Sequence, residues 1–345
     1  MKRFFALFLT MAMVLSLAAC ASSQPAAAST ETAETTETTE PAAEESAEAP
    51  AESGKTYTVG VCQLVQHEAL DAATQGFIDA LKEELGDAVT VDVQNASGDS
   101  VNCGTIVNGF VSEGVDLIMA NATPALTAAV SATADIPILG TSITAYGVAL
   151  DIDDFNGTVG GNVSGTSDLA DLQAQAQMIL DWFPETKTVG LLFCSAEPNS
   201  RYQIDEVRKA LEAQGVTCEE FAFTDSNDVS SVTQKAADFS DVVYIPTDNT
   251  AASNTEAIAN VLIPAGVPAI CGEEGLCRGC GVATLSISYY DLGVTTGKMA
   301  AKILKGEADI STMPVEYTDA TPKYNASVCE QLGITPLDGY EAIDG

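Results

Sequence analysis

The chain has 345 residues and carries 49 acidic against 14 basic side chains, which gives a formal net charge of −35. Phosphate groups are repelled by so acidic a surface, so nucleic acid is a poor partner, and broad electrostatic adhesion to anionic lipid is excluded on the same ground. The length is sufficient for two domains with substantial cores.

The N-terminus has the layout of a bacterial secretory signal. Lys2 and Arg3 precede an apolar run from residue 4 to residue 17, and Leu17-Ala18-Ala19-Cys20 closes it. The run is short for a membrane span, and its small-small-Cys ending resembles a lipobox. We predict that residues 1–19 are a lipoprotein signal peptide, that Cys20 is lipidated, and that the protein is anchored outside the bacterial cell membrane. An ordinary signal peptide or a short anchor is the alternative.

Residues 20–54 predict a disordered acidic tether. After Cys20 this segment contains no Leu, Ile, Val or aromatic residue, and it carries eight glutamates. Such a composition buries too little apolar surface to offset the entropy of ordering, and the like charges keep it extended. A short mucin-like or adhesive stalk is the competing interpretation.

Eight cysteines follow Cys20, namely Cys62, Cys103, Cys194, Cys218, Cys271, Cys277, Cys280 and Cys329. Their even number permits disulfides in an exported protein. Several lie in apolar runs, where free cysteine behaves as a small buried hydrophobe. The CxxC at 277–280 lacks the second ligand pair of a structural zinc site, and the single histidine, His67, is distant in sequence. We therefore expect free thiols, no metal and no cofactor.

From residue 55 onward, short β-branched runs alternate with amphipathic stretches, which indicates parallel α/β structure. In the first half we predict strands at 59–62, 89–93, 115–120 and 136–140, with helices at 69–85, 101–111 and 123–132. The second half repeats this order, with strands at 189–193, 216–221, 242–245 and 267–272 and helices at 203–213, 229–239 and 250–262. We predict two similar Rossmann-like lobes joined by a hinge: 55–155, with a return segment near 286–310, and 156–345.

Catalytic motifs find little support in the sequence. The glycine-rich run at 160–165 lacks the spacing and helix placement of a dinucleotide-binding loop, and there is no P-loop. A Ser-His-Asp triad could use only His67, and no G-x-S-x-G elbow is present. The chain is therefore predicted not to be an enzyme.

Polar loops follow the strands of both halves, where a clamshell protein binds its ligand. Thr123-Pro124 is typical of a helix cap, and a free helix N-terminus can also receive a carboxylate. Asp248 either caps the next helix or pairs with an ammonium group; together the two groups would define an amino acid. The predicted ligand-binding residues are His67, Thr123, Ser142, Thr144, Asn199, Ser200, Thr247, Asp248, Asn249 and Glu273.

At these loops the sequence resembles ABC-transporter substrate-binding proteins of the tryptophan/tyrosine type. The similarity runs from about Lys55 to Pro336, and the matching stretches are His67-Glu68-Ala69-Leu70-Asp71, Asn121-Ala122-Thr123-Pro124-Ala125, Glu197-Pro198-Asn199-Ser200, Pro246-Thr247-Asp248-Asn249-Thr250, Gly272-Glu273-Glu274-Gly275 and Tyr324-Asn325 with Leu332-Gly333-Ile334. The resemblance implies a type I periplasmic-binding-protein fold and delivery of an aromatic amino acid, or a related small molecule, to an ABC permease with a cytoplasmic ATPase. We also predict a monomer. Thr144-Ala145 departs from a family pattern that often reads Thr-Asp, which leaves the exact ligand open.

Two other functions compete with solute import. A ligand-sensing or adhesive surface lipoprotein would share the fold. A sugar-responsive transcription regulator would share it as well, but it needs a helix-turn-helix at its N-terminus and no export signal, and this chain meets neither condition.

Overall fold

The computed structural model describes residues 55–343. The predicted signal peptide 1–19, the lipidation site Cys20 and the tether 20–54 lie outside the described residues. Within residues 55–343, no helix combines the length and the apolar character that crossing a membrane requires.

Strands and helices alternate along most of the described chain. The strands are β1 (Tyr57–Gln63), β2 (Val89–Asn95), β3 (Leu117–Asn121), β4 (Ile138–Ile143), β5 (Val163–Ser167), β6 (Thr188–Cys194), β7 (Thr217–Phe223), β8 (Val242–Ile245), β9 (Ala269–Cys271), β10 (Ala283–Ser286), β11 (Glu316–Tyr317), β12 (Thr321–Tyr324) and β13 (Glu341–Ala342). The helices are α1 (Glu68–Leu85), α2 (Ser100–Glu113), α3 (Thr123–Ala132), α4 (Tyr146–Ala149), α5 (Leu172–Trp182), α6 (Pro198–Glu212), α7 (Val229–Phe239), α8 (Asn249–Ala252), α9 (Thr255–Ala265), α10 (Glu274–Cys280), α11 (Tyr289–Lys305) and α12 (Ala326–Leu332).

The strands form two sheets with the same central order. The first sheet runs β11-β5-β4-β3-β1-β2 and the second β13-β12-β10-β9-β8-β6-β7. The pairings between these strands are parallel, except that β10 and β12 are antiparallel. The orders β2-β1-β3-β4-β5 and β7-β6-β8-β9-β10 therefore correspond strand for strand. This confirms the predicted α/β class with two similar lobes.

Matching contacts strengthen this internal correspondence. The Asp116 carboxylate, which precedes β3, accepts the Thr58 N–H at 2.8 Å. Asp241, which precedes β8, accepts the Thr188 N–H at 2.9 Å. In both lobes an aspartate thus ties the start of the first strand to the start of its neighbour.

Most of the predicted elements are present with shifts of a few residues at their ends. Two helices differ more. Helix α6 begins at Pro198 rather than 203, because proline is well suited to a first helical turn. The helix predicted at 250–262 is divided into α8 and α9, since Ser253 and Asn254 interrupt it between the two.

The first sheet continues past residue 155, where the sequence analysis ended the first lobe. Strand β5 pairs with β4, and its sequence Val-Ser-Gly-Thr-Ser is fully buried although it is mostly polar. Its hydroxyls bond inside the lobe: Thr166 Oγ1 lies 3.2 Å from Thr141 Oγ1 and 2.9 Å from Thr296 Oγ1. A Cβ on Gly165 would lie 2.0 Å from the Gly140 carbonyl oxygen. A strand stabilised by hydroxyl pairs and close backbone approach lacks the apolar pattern that sequence analysis detects.

The chain crosses between the two lobes three times, at residues 168–171, 287–288 and 318–320. Helix α11 follows the second crossing and packs along α1, which returns this part of the chain to the first lobe. Strand β11 then joins the first sheet and β12 the second. These crossings border the cleft between the lobes.

Candidate functional site

A small cavity lies between the lobes, at the carboxyl ends of the central strands. Its volume is about 10 Å³, which is the size needed for about one water molecule. The residues that line it are His67, Leu70, Ser142, Thr144, Asp168, Asn199, Thr247, Asp248, Asn249, Ala252, Glu273 and Tyr289. Both lobes contribute, as expected for a ligand site at the switch point of two parallel sheets.

Eight of the ten predicted ligand-binding residues line this cavity; Thr123 and Ser200 do not. Ser200 is buried in the first turn of α6; burial raises the pKa of Asp248, and the Ser200 side chain lowers it by a smaller amount. Thr123 is buried in the first turn of α3, but Ala122 occupies the cap position with φ +88°. The prediction that Thr123 caps this helix was therefore wrong by one residue. The positive φ at Ala122 ends the extended backbone there, so Thr123 is already in the first turn of the helix.

The first-lobe wall presents polar atoms that have no partner within the protein. Ser142, at the end of β4, is buried with φ +57°, and its Oγ has no hydrogen bond. Asp168 follows β5 and is 5% exposed. Its Oδ2 accepts the Tyr289 hydroxyl at 2.9 Å, whereas Oδ1 has no partner. A buried carboxylate oxygen without a donor costs free energy, which favours a ligand that supplies one.

Asp168 was missed in the sequence because β5 was missed. The sequence feature that would have identified Asp168 is the one used for the other loops, namely a polar residue directly after a strand of a parallel sheet. Ser167 Oγ donates to the Thr144 carbonyl at 3.1 Å and holds the Asp168 loop against the loop after β4. The family pattern often has an aspartate after Thr144, where this chain has Ala145. The Asp168 carboxylate lies next to this loop.

The second-lobe wall also contains carboxylates, but backbone donors occupy them. Asp248 accepts the Cys194 N–H at 2.6 Å with Oδ2 and the Ala251 N–H at 2.8 Å with Oδ1. Glu273 accepts the N–H groups of Gly275 and Leu276 at 2.6 and 2.5 Å. Both side chains cap short helices, so the capping interpretation of Asp248 describes its contacts.

Glu197 supports this wall from behind. Its Oε2 accepts the Asn249 N–H at 3.0 Å and the Asn249 side-chain amide at 2.7 Å. Its Oε1 accepts the Thr250 N–H at 2.9 Å and the Thr250 hydroxyl at 2.8 Å. The carboxylate therefore fixes the start of α8 and the orientation of Asn249.

Asn199 is the second-lobe residue that leaves an acceptor free. Its Nδ2 donates to the Thr247 carbonyl at 3.1 Å and to Glu197 Oε2 at 3.2 Å. These acceptors fix the amide orientation, because a flipped amide would place oxygen against oxygen. The buried Oδ1 has no hydrogen-bond partner. Asn199 Oδ1, Asp168 Oδ1 and Ser142 Oγ are therefore three unsatisfied atoms on residues that line one cavity.

His67 connects the lobes across the cavity. Its Nε2 lies 3.3 Å from Asn249 Oδ1. Because the Asn249 amide nitrogen donates to Glu197, its oxygen must accept, and His67 therefore donates from Nε2. Burial lowers the pKa of His67, so the ring is neutral at pH 7.

Burial also controls the cavity acids. It raises the pKa of Asp168, and it raises that of Glu273 to about 7 against the pull of the two backbone donors. The pKa of Asp248 is raised by burial first and then by the negative charge of Glu197. No lysine or arginine is among the residues lining this cavity. The site therefore favours a positively charged group.

A wider groove adjoins the cavity and shares Asn249 with it. Its volume is about 400 Å³, and it lies between Leu64, Val65 and 97–100 of the first lobe and Ala196 and 224–226 of the second. At another edge, Arg278 Nε of α10 lies 3.1 Å from Glu68 Oε1 of α1. Direct contacts between the lobes show that the cleft is closed.

The CxxC lies apart from this cavity. Cys277 and Cys280 are buried in the second-lobe core, where Cys280 Sγ donates to the Leu276 carbonyl at 3.3 Å. The eight cysteines of the described part of the chain are free thiols. Among residues 55–343, no group of His, Cys, Asp or Glu side chains has the arrangement of a metal site.

Comparison with known proteins supports a binding function. Residues 58–339 match the family model described as ABC transporter substrate binding protein. A tyrosine-binding protein from Clostridioides difficile (strain R20291) is 33% identical over 276 residues, covering 78% of this chain and 79% of that protein.

Two solved structures differ in how well they superpose. An ABC domain from Streptococcus pneumonia in complex with L-Trp is 32% identical, with a TM-score of 0.79 over 84% of this chain and 100% of its own. The ligand-free, open structure of a substrate-binding protein with adhesive properties from Clostridium difficile is 33% identical, with a TM-score of 0.64 over 84% and 99%. At nearly equal identity the described structure is closer to the ligand complex, in agreement with its closed cleft. The chain belongs to the family of ABC transporter substrate-binding proteins.

Proposed function

We propose that this solute-binding protein captures an aromatic amino acid, tryptophan, tyrosine or phenylalanine, between its lobes and delivers it to an ABC permease with a cytoplasmic ATPase. The observation that carries the proposal is a set of three buried polar atoms without hydrogen-bond partners, on residues from both lobes that line one cavity. The relatives that bind tyrosine and tryptophan support an aromatic ligand.

The lining matches the chemistry of an amino acid. Its buried acceptor oxygens without partners suit an ammonium group, and the Ser142 hydroxyl can donate to a carboxylate. Leu70, Ala252 and the Tyr289 ring offer apolar surface for a side chain. Thr144, Thr247, Asn249 and His67 complete the wall, and Asp248 and Glu273 hold it in shape. Because the closed cavity is so small, an aromatic ligand requires the lobes to separate and the side chains to rearrange.

The protein works outside the cytoplasm, as members of its family do. We propose further that cleavage after residue 19 exposes Cys20 for lipidation, and that residues 20–54 hold the folded part away from the membrane. Globomycin, which blocks this cleavage, should cause a larger precursor to accumulate, and a Cys20→Ala variant should no longer incorporate labelled fatty acid. Fatty-acid labelling of that variant equal to that of the wild type would contradict the anchor.

A ligand-sensing or adhesive role is the alternative, and it is favoured by the adhesive relative alone. Deletion of the protein should abolish uptake of the labelled amino acid if the role is import. Normal uptake, with loss of surface attachment or of a transcriptional response, would support the alternative instead.

A thermal-shift screen of the twenty amino acids on the purified folded part tests the ligand class. An aromatic amino acid at 100 times its dissociation constant should stabilise the protein by about 2.7 kcal/mol. If no aromatic amino acid raised the melting temperature, the proposed ligand class would be wrong.

A further inference from the structure

Asp168 occupies a distinctive place in the fold. It lies in the first crossing between the lobes, and the Tyr289 hydroxyl that bonds its Oδ2 comes from the start of α11, directly after the second crossing. The remaining oxygen, Oδ1, is buried and makes no hydrogen bond, and Asp168 is one of the residues that line the cavity. Burial raises the pKa of this carboxyl, and the nearby Thr144 side chain lowers it by a smaller amount. One carboxylate therefore links two hinge segments and still has a hydrogen-bonding position available.

The other acids of the site offer no such position. Both oxygens of Asp248 and both oxygens of Glu273 accept backbone N–H groups, and Glu197 is held in the same way. Since no lysine or arginine lines the cavity and His67 is neutral, Asp168 has no counter-ion among the residues around it. A buried carboxylate without a counter-ion is the group that gains most from a bound cation.

We propose that Asp168, and not Asp248, holds the ammonium group of the ligand, with Asn199 Oδ1 as a second acceptor from the opposite lobe and Tyr289 as the positioning residue. This inference rests on the proposed function and specifies how its site recognises an amino acid. An ammonium group has three donors, so it can bond acceptors on both lobes at once. Binding then favours a closed arrangement that is wide enough to hold the ligand, because neither lobe alone offers both acceptors.

A proton balance follows from this placement. Burial raises the pKa of Asp168, whereas an ammonium ligand favours the ionised carboxylate, so binding is linked to the loss of a proton wherever the free carboxyl is protonated. Affinity should therefore increase with pH until the free carboxyl is ionised. The titratable groups around Asp168 are Tyr289 from α11, Tyr146 from α4, His67 before α1, Asp248 before α8 and Glu273 before α10. The charge of Glu197 acts on Asp248. Since Glu273 and Asp248 also titrate at raised pKa values, the contribution of Asp168 is read as the difference between the wild type and Asp168→Asn.

Calorimetric titration with paired ligands tests the assignment. L-Tyrosine and L-tryptophan are compared with 3-(4-hydroxyphenyl)propanoate and 3-(indol-3-yl)propanoate, which lack only the ammonium group. Wild-type protein should bind the better amino acid at least 30-fold more tightly than its desamino analogue, a ratio equivalent to about 2 kcal/mol.

In Asp168→Asn that preference should fall below fivefold and the pH dependence of affinity should weaken. The side-chain amide oxygen of this variant can still accept the Tyr289 hydroxyl, so the fold should persist. Asp116→Asn, which alters an exposed acid at the far end of the first sheet, is the control and should bind like the wild type.

The possible results separate the two proposals. If the wild type binds neither of these amino acids nor L-phenylalanine, the proposed ligand class is wrong and this inference is overturned with it. If the wild type binds an amino acid while Asp168→Asn keeps the full ammonium preference and pH dependence, only the assignment to Asp168 is overturned. Should the variant fail to fold, equal wild-type affinity for an amino acid and its desamino analogue would still overturn the inference.

Discussion

The two walls of the cleft have the same topology but use their polar side chains differently. On the second-lobe wall, Asp248 and Glu273 use both carboxylate oxygens to accept backbone N–H groups. On the first-lobe side, Asp168 and Ser142 leave a buried oxygen unsatisfied. A carboxylate in a binding loop is thus not by itself a ligand contact. A carboxylate caps a helix when the local backbone supplies its hydrogen-bond donors, and it can bind a ligand when the backbone does not.

The largest expected effect is a loss of folding stability on the second-lobe wall, where backbone N–H groups bond the carboxylates. Asp248→Ala removes the acceptor of two buried N–H groups, at Cys194 and Ala251, and each unsatisfied group costs about 1–3 kcal/mol. We expect the free energy of unfolding to fall by about 2–5 kcal/mol in urea titrations without ligand. Asp168→Asn should cost less than about 1 kcal/mol under the same conditions, since it loses no backbone bond. Equal losses of unfolding free energy in the two variants would contradict the distinction between a carboxylate that bonds the backbone and one that does not.

The pH dependence of folding stability tests the burial of the acid Glu273 on the second-lobe wall. The folded-state pKa of Glu273, about 7, exceeds its ordinary value near 4.5, so between these values the folded protein binds more protons than the unfolded chain. Stability should therefore fall as the pH rises from about 5 to 7.5, by at most about 3 kcal/mol for this group at about 1.36 kcal/mol per pKa unit. Chemical denaturation at a series of pH values measures the slope, which Glu273→Gln should reduce. A stability that rises with pH throughout this window would contradict the raised pKa values.

The smallest expected effect concerns the contact that joins the walls at the edge of the cleft. Arg278 Nε and Glu68 Oε1 are 3.1 Å apart, but both side chains are partly exposed, so the pair contributes no more than about 1 kcal/mol. Glu68→Gln should weaken ligand binding less than fivefold and widen an interlobe distance measured by paired spin labels. Its effect should disappear at high salt because exposed charges are screened. A tenfold or larger loss of ligand affinity would show that contacts at the edge of the cleft, rather than the buried Asp168 carboxylate, control closure.

Much of the site could be read from the sequence because parallel sheets place their strand ends together. Once β1, β3, β4, β6, β8 and β9 were recognised, the loops that follow them had to meet, and eight of the ten predicted residues line the cavity. Thr123 and Ser200 lie in the first turns of α3 and α6 and do not line the cavity. Side-chain direction within a loop depends on local backbone angles, such as the positive φ at Ala122, and residue type does not specify these.

By itself the sequence determined the α/β class, the duplicated lobes and the family, because apolar periodicity and ordered loop motifs are local properties of the chain. It did not reveal β5, whose buried hydroxyls and glycine are stabilised by partners as distant as Thr296. Nor did it distinguish Asp168 from Asp248, since both are aspartates that follow a strand. Only the tertiary structure decided which of them meets backbone donors and which remains unsatisfied, because that depends on how separate loops pack together.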